Sequence, residues 1–242
     1  MSLELLAHPA FCVNPVEKTA DLEASILADL KKQQGTSFES SAQNWEKRHG
    51  TQAFQPLVRI ASNRALGDSY RYIALMSATK LAGDQAIPFV IPFLSDTSWM
   101  LRSGALSAIK SLATFHAGSE ARVDPLQSKT QLTQNHFNRV LLLLHDPALV
   151  VRMEAVETIL ILKPQGAVEA LFSVMEDQQN YHGGKAQWVP QKALRGIRLL
   201  QTRDLDPHLL TRLSRFLKAS FHQNDSAFRE QISQILKKTG KT

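Results

Sequence analysis

Apolar and polar positions recur with a period of fifty residues in the middle of the chain. The stretch LHDPALVVRMEAVETILIL, Leu144 to Leu162, lies over LSDTSWMLRSGALSAIKSL, Leu94 to Leu112, without a gap. Each copy has an apolar stretch, then a short polar break, then a second apolar stretch with helical spacing. In the second copy these spaced positions are Val151, Ala155, Ile159 and Leu162. The repeated unit is therefore predicted to be two antiparallel helices joined by a short turn.

The polar break is predicted to begin the second helix of each unit. Asp146 can accept hydrogen bonds at the N-cap, and Pro147 suits the first helical position. Weaker copies extend the pattern to five helical hairpins, at about 51–82, 86–112, 134–163, 166–200 and 207–239. A small residue in four of the second helices allows close helix packing: Ala74, Ala105, Ala155 and Ala193. One hairpin cannot bury its apolar face alone, but a stack of hairpins can.

Two copies carry a more specific pattern, Asp96…Leu101–Arg102…Ala105 and Asp146–Pro147…Val151–Arg152…Ala155. This pattern resembles that of HEAT-repeat proteins, over about residues 51–239. The resemblance implies an all-α, right-handed α-solenoid of about five hairpins. In that family the turn aspartate and the helix arginine join a hydrogen-bond ladder between repeats. The resemblance gives this role to Asp96, Arg102, Asp146 and Arg152. Arg71 and Arg229 match the arginine position, whereas Pro190 replaces it in the fourth unit.

The first fifty residues carry a helix of their own. Asn14 and Pro15 can begin this helix, and Gly35 can end it. Its apolar stripe is Leu22, Ile26, Leu27 and Leu30. We interpret residues 1–50 as an N-terminal helical cap over the apolar end of the first hairpin. Residues 51–242 are then a single repeat domain.

Two segments are longer than an ordinary turn between helices. One is Ala113–Gln134, and the other, Asp177–Gln187, widens the turn inside the fourth hairpin. Insertions in repeat proteins often lie on one face and can bind partners. A solvated variable loop explains each of them equally well, so both interpretations stay open.

The sequence indicates no catalytic residue, no metal site and no cofactor site. The eight histidines are scattered, and Cys12 is the single cysteine, so neither a zinc-protease motif nor a disulfide framework is present. Glu154 and Glu157 are more typical of a solvated helix face than of acid–base catalysis. A HEAT-like DNA glycosylase would need a tryptophan cluster beside an aspartate, which Trp45, Trp99 and Trp188 do not form in the sequence. We therefore expect a protein that is not an enzyme.

The N-terminus and the apolar runs bear on localisation. The longest apolar run, Ala86–Leu94, is far shorter than the roughly 20 residues that span a bilayer. The first residues lack the features of an intact signal peptide. A cytoplasmic location is therefore favoured, although a cleaved export signal would leave no trace in this sequence.

Positive charge is concentrated at the C-terminal end. Residues 181–242 carry twelve Lys/Arg and four Asp/Glu, whereas the whole chain has a net charge of +6. Two helical sets stand out, with few acidic residues near them in sequence: Lys192, Arg195 and Arg198, and Arg212, Arg215 and Lys218. A positive surface of this kind could meet an acidic protein or phosphates, or it could simply favour solubility.

The sequence thus predicts a non-catalytic scaffold or adaptor. Its protein partner, whose identity the sequence does not give, would bind to the concave face of the solenoid or to the inserted loops. The alternative is weak nucleic-acid binding through the basic C-terminal quarter. A HEAT-like lyase subunit or glycosylase is the third and least favoured interpretation.

Overall fold

The structure, a computed structural model, describes residues 15–32, 45, 47–115, 132–200, 207–219 and 222–238. In this part of the chain the structure is helical apart from one short β-hairpin, so the predicted all-α class is confirmed. The chain divides into two compact units, Met1–Gly83 and Asp84–Thr242.

The first unit contains the N-terminal helix together with the first predicted hairpin. Its helices are α1 (Pro15–Lys32), α2 (Phe54–Ser62) and α3 (Asp68–Ala82), with a 3₁₀ turn at Gly50–Ala53 before α2. Helix α1 packs on α2 and α3, and Ile26 and Leu30 of its apolar stripe are buried. The division therefore lies after Gly83, whereas the sequence analysis placed a boundary after residue 50.

In its described residues, the second unit contains four helix pairs at the positions predicted from the repeat. The first helices are α4 (Ile87–Val90), α6 (Gln134–Leu142), α8 (Ala167–Glu176) and α10 (Pro207–Leu217). The second helices are α5 (Trp99–Phe115), α7 (Leu149–Leu162), α9 (Trp188–Leu200) and α11 (Ser226–Lys238). Helices α4 and α6 continue into the 3₁₀ turns Ile91–Ser95 and Leu143–His145. Of the inserted segment Ala113–Gln134, residues 116–131 lie outside the described residues.

Small residues allow the second helices of this unit to approach closely. Helix α7 packs against both α5 and α9. The four alanines singled out by the repeat, Ala74 in the first unit and Ala105, Ala155 and Ala193 in the second, are fully buried as predicted. Gly196 of α9 brings its helix closer still. A Cβ atom there would lie 2.5 Å from Cδ2 of Leu160 and 3.1 Å from Cδ1 of Leu171.

The turn aspartates lie before their helices rather than at the N-caps. The Asp146 carboxylate accepts a hydrogen bond from the N–H of Ala148 at 2.8 Å, and α7 begins only at Leu149. Asp96 makes the same bond with the N–H of Ser98 at 2.9 Å. The prediction that Asp146 caps the helix and Pro147 opens it is therefore wrong. An aspartate that bonds two residues ahead stabilises a turn of its own, and this turn occupies the three positions before the helix.

Helices α5 and α7 each carry an arginine near their start. This arginine donates a hydrogen bond to a carbonyl group of the turn that precedes the helix. Nη1 of Arg102 donates to the carbonyl of Asp96 at 2.9 Å, and Nη1 of Arg152 donates to the carbonyl of Asp146 at 2.7 Å. Arg102 also reaches the next hairpin: its Nε and Nη2 donate to the two carboxylate oxygens of Asp146 at 2.6 and 2.8 Å. This two-point, charge-assisted contact fixes both distance and orientation between hairpins.

In the first and last hairpins, the arginine at the equivalent position binds a carbonyl group of the first helix. Nε of Arg71 donates to the carbonyl of Ala61, near the end of α2, at 3.0 Å. Nη1 of Arg229 donates to the carbonyl of Leu217, at the end of α10, at 2.9 Å. In both hairpins the second helix therefore satisfies a backbone acceptor that the first helix leaves at its C-terminus.

The fourth hairpin has Pro190 at the arginine position. There, residues of the inserted segment donate hydrogen bonds to carbonyl groups near the end of α8. Nδ2 of Asn180 donates to the carbonyl of Val174 at 3.0 Å, and the hydroxyl of Tyr181 donates to that of Met175 at 2.7 Å. Burial holds the pKa of Tyr181 above its usual value, so the hydroxyl keeps the proton that it donates. Two residues of the insertion thus replace one guanidinium.

The rest of the insertion is a small β-hairpin that contacts the fifth helix pair. Strands β1 (Tyr181–His182) and β2 (Lys185–Ala186) are antiparallel. They are joined by Gly183 and Gly184, whose φ angles of 57° and 75° suit the tight turn that right-twisted strands require. The Asp225 carboxylate accepts a hydrogen bond from the N–H of Ala186 at 2.9 Å. This insertion therefore has a structural role that neither sequence interpretation included.

We expect Asp146→Ala to lower the free energy of unfolding by about 3 kcal/mol, because it leaves the largely buried Arg102 guanidinium without its carboxylate. The Asp146 side chain is only 4% exposed. Chemical denaturation followed by circular dichroism measures the change.

The control for this substitution is Asp68→Ala, whose contact with Arg71 is 3.4 Å long and whose side chain is 49% exposed. It should cost less than about 1 kcal/mol. Equal losses in the two variants would show that the Arg102–Asp146 contact contributes nothing special.

Candidate binding groove

A groove of about 660 Å³ lies along the solvent-facing side of α9. Two flanking residues line it, Met153 from α7 and Gln231 from α11. The remaining lining residues all come from α9: Trp188, Gln191, Lys192, Arg195, Arg198 and Leu199. Three consecutive second helices thus contribute to one concave surface, and its volume lies within the roughly 300–1,000 Å³ typical of ligand sites.

The sequence of α9 explains why this side faces the solvent. Its buried positions recur every three or four residues and pack into the core: Val189, Ala193, Leu194 and Ile197. Its exposed positions project from the other side of the helix. Two of these are large apolar side chains, Trp188 with 66% and Leu199 with 60% of its surface exposed. The groove therefore has an exposed apolar residue at each end of α9.

The sequence analysis expected Lys192 to be a free cation, but in the structure it is paired. Its ammonium group donates to the carboxylate of Glu157 on α7, which also accepts from Lys110 on α5 at 2.8 Å. Lys110 donates in addition to Glu154 at 2.7 Å. The prediction was wrong because the partner of Lys192 lies 35 residues away in sequence and is brought near only by helix packing.

Glu154 and Glu157 are therefore neither a solvated face nor an acid–base pair. They form an ion-pair network with Lys110 and Lys192 across α5, α7 and α9. Partial burial works to raise the pKa of Glu157, but the hydrogen bonds from the two lysines outweigh it and hold that pKa below its usual value. The two carboxylates neutralise the two ammonium groups, so this network adds no net charge to the groove.

Arg195 and Arg198 are exposed and have no ion-pair partner among the residues that the structure describes. They lie three residues apart on α9, so their Cβ atoms are about 5–6 Å from each other. With Lys192 neutralised, these two guanidinium groups set the charge of the groove. The groove thus carries a net charge of +2, and this positive charge lies between the exposed Trp188 and the exposed Leu199.

The second basic set lies on α10 and does not line the groove. Arg212 makes a two-point contact with the carboxylate of Glu176 on α8, with Nε at 2.8 Å from Oε1, and its guanidinium lies 5.0 Å from the centre of the Phe172 ring. The expectation that Arg212 is unpaired is therefore wrong, for the same reason as for Lys192. Arg215 and Lys218 are exposed. Of the two basic sets, only the one on α9 lines the groove.

The sequence analysis missed the two apolar residues that border the groove. Trp188 was considered only as a member of a possible tryptophan cluster, and Leu199 was not considered. The helical spacing contains the signal, because Trp188 directly precedes the buried Val189 and Leu199 lies two positions after the buried Ile197. Both positions therefore fall off the core-facing stripe of α9.

A second cluster resembles a catalytic triad but lacks its hydrogen-bond directions. His145 lies between two groups, with Nδ1 at 2.9 Å from the Asp177 carboxylate and Nε2 at 3.2 Å from the Ser173 hydroxyl. That hydroxyl donates to the carbonyl of Ala170 at 2.8 Å, so it is not donating to the imidazole. A serine nucleophile would donate its proton to His. The cluster acts instead as a link between the third and fourth hairpins.

The described residues also bear on metal binding and on membrane insertion. They contain no group of three or more His, Cys, Asp or Glu side chains that could hold a metal ion. None of the helices in the described ranges combines the length and the apolar character needed to cross a membrane.

Comparisons with known proteins give no family for this chain. No family model matches it, and no curated protein matches it. Among solved structures, the crystal structure of an engineered protein from the Northeast Structural Genomics Consortium is 15% identical, with a TM-score of 0.45 over 91% of this chain and 96% of that one. At this TM-score the likeness has no bearing on function.

We expect Glu157→Gln to lower the melting temperature at neutral pH, with an effect that fades in acid. Because the folded-state pKa of Glu157 lies below the ordinary 4.5, its ion pairs contribute fully above that value and are lost as the pH falls through the folded-state pKa. Thermal unfolding from pH 7 to pH 3 measures the difference between the two proteins.

The matched control is Glu230→Gln on α11, where the carboxylate bonds only to Gln234 of the same helix among the contacts described. Its melting temperature should follow that of the unchanged protein across the pH range. A Glu157→Gln difference that stays constant down to pH 3 would contradict the assignment.

Proposed function

We propose that this protein is a non-catalytic scaffold of the HEAT-like α-solenoid type that binds a protein partner in the groove along α9. The fold supports the solenoid part of this proposal. Helix pairs follow one another at the predicted positions, and α5, α7 and α9 pack side by side in chain order. The Arg102–Asp146 contact between consecutive hairpins is what the resemblance to HEAT repeats predicts.

One observation carries the functional part of the proposal: an exposed tryptophan lies in the same groove as two arginines that have no ion-pair partner among the described residues. Tryptophan and arginine are the residues most enriched at the energetic centres of protein interfaces. An indole with two thirds of its surface in water also costs free energy that burial against a partner would recover. Neither feature stabilises the folded chain by itself.

Nucleic-acid binding is the second candidate, and the same three side chains favour it. A base could stack on Trp188 while Arg195 and Arg198 contact phosphates. The charge is small for this purpose, since Lys192 and Arg212 are neutralised within the protein and Arg215 and Lys218 lie on another helix. This function would therefore be weak and strongly dependent on salt.

Trp188→Ala and the double variant Arg195→Glu/Arg198→Glu should each reduce capture of a partner protein by at least tenfold. Both variants change exposed side chains, so the circular-dichroism spectrum and the melting temperature should stay unchanged. Affinity capture from cells that contain the natural partner, followed by mass spectrometry with isotope-labelled quantification, measures the loss.

The control is Arg215→Glu/Lys218→Glu, which makes the same charge change on α10 outside the groove. It should capture the partner as well as the unchanged protein does. Equal losses in both double variants would indicate a general charge effect, and no loss in either groove variant would remove the groove from the proposal.

A further inference from the structure

We infer that the groove along α9 takes a short, extended peptide segment with an aromatic or aliphatic residue at one end and two acidic residues near the other. This inference rests on the proposed function, since it names the chemistry of the partner that the same groove would bind. It follows from three features of the groove: its length, its charge and its surroundings.

The length of the groove sets the length of the segment. Trp188 and Leu199 are eleven residues apart on α9, which is about 16 Å along the helix axis. An extended chain advances about 3.3 Å per residue, so roughly five residues cover this distance. A volume of about 660 Å³ fits a segment of that size, but it does not admit a folded domain.

The charge of the groove sets the position of the acidic residues. Arg195 and Arg198 lie toward the Leu199 end, seven and ten residues after Trp188. Side chains at positions i and i+2 of an extended peptide project to the same side, about 6.6 Å apart, close to the separation of the two arginines. Two carboxylates with this spacing can therefore meet both guanidinium groups, each with the planar geometry that favours two-point contacts.

The polar and apolar surroundings of the arginines complete the description. Gln191 and Gln231 line the groove and carry both donors and acceptors, which suit the backbone of an extended peptide. Trp188 offers an exposed ring at the other end, beside which an aromatic or aliphatic side chain can pack. A peptide with only acidic residues would leave this ring exposed to water.

The helices that flank α9 disfavour a nucleic acid as the occupant. Helix α7 places Glu157 beside α9, where its carboxylate pairs with Lys192 and so neutralises one of the three cations that line the groove. A phosphate backbone that crosses the groove would therefore meet only two cations that no described carboxylate pairs, Arg195 and Arg198. A five-residue peptide places its negative charge over the arginines alone.

The first experiment uses a fluorescein-labelled peptide, Gly-Ser-Phe-Ser-Glu-Ser-Glu-Ser-Gly, and fluorescence anisotropy. The full chain should bind it saturably, and replacing either Phe by Ser or both Glu by Gln should weaken binding at least tenfold. No saturable binding of the first peptide at low salt would overturn the inference, as would equal binding of all three peptides.

The second experiment exchanges the charges. The variant Arg195→Glu/Arg198→Glu should lose the acidic peptide and should bind its counterpart, with both Glu replaced by Lys, at least tenfold more tightly than the unchanged protein does. Arg215→Glu/Lys218→Glu is the control and should keep the original preference. A control variant that exchanges its preference equally would place the binding site outside the groove.

The third experiment distinguishes a peptide partner from a nucleic acid. Unlabelled twelve-nucleotide oligothymidine should displace the labelled peptide only at concentrations well above those of unlabelled peptide. Displacement at lower concentrations would show a nucleic-acid site and overturn the inference. If the peptides fail while the groove variants still lose their natural partner, only the peptide chemistry is wrong; if partner capture is also unchanged, the proposed function fails too.

Discussion

The carbonyl groups at the end of each first helix impose the constraint on which the hairpins depend. A helix leaves its last carbonyls without intrahelical partners, and a short turn into a second helix puts them where water has little access. An arginine near the start of the second helix binds such a carbonyl in the first and last hairpins, at positions 71 and 229, and at positions 102 and 152 it binds the carbonyl of the turn aspartate that follows the first helix. Its guanidinium has five donors, so one side chain can satisfy a carbonyl and still reach another group.

The fourth hairpin shows what happens when this arginine is replaced. Pro190 has no donor at all, and Asn180 and Tyr181 from the inserted segment donate to the same kind of carbonyl. The chain of contacts between hairpins changes as well. Nε of Arg102 donates to Asp146, but the equivalent Nε of Arg152 is buried without a hydrogen-bond partner among the described residues, and Asp177 pairs with His145 instead. Hairpins three and four are therefore held by different groups from hairpins two and three.

The local part of this structure could be predicted from the sequence, because it depends on spacing. The fifty-residue repeat predicts the helix positions and the buried alanines, since apolar residues spaced by three or four must share a face. The pairs Lys192–Glu157 and Arg212–Glu176 could not be predicted, because 35 and 36 residues separate the partners. The role of Asp146 was misjudged for another reason: a turn aspartate and an N-cap aspartate look alike in sequence and can both bond the N–H two residues ahead, and they differ in where the helix begins.

The same long-range pairing decides how the basic C-terminal quarter should be understood. Counted along the sequence, six cations on two helices indicate a broad positive surface. Packing then neutralises one cation in each set, on α9 by Glu157 and on α10 by Glu176, because each helix lies beside an acidic neighbour from the preceding hairpin. What remains in the groove is two arginines between two exposed apolar side chains. Such a surface discriminates between ligands by the order of their charged and apolar groups. A peptide can vary this order from residue to residue, whereas a uniform phosphate backbone cannot.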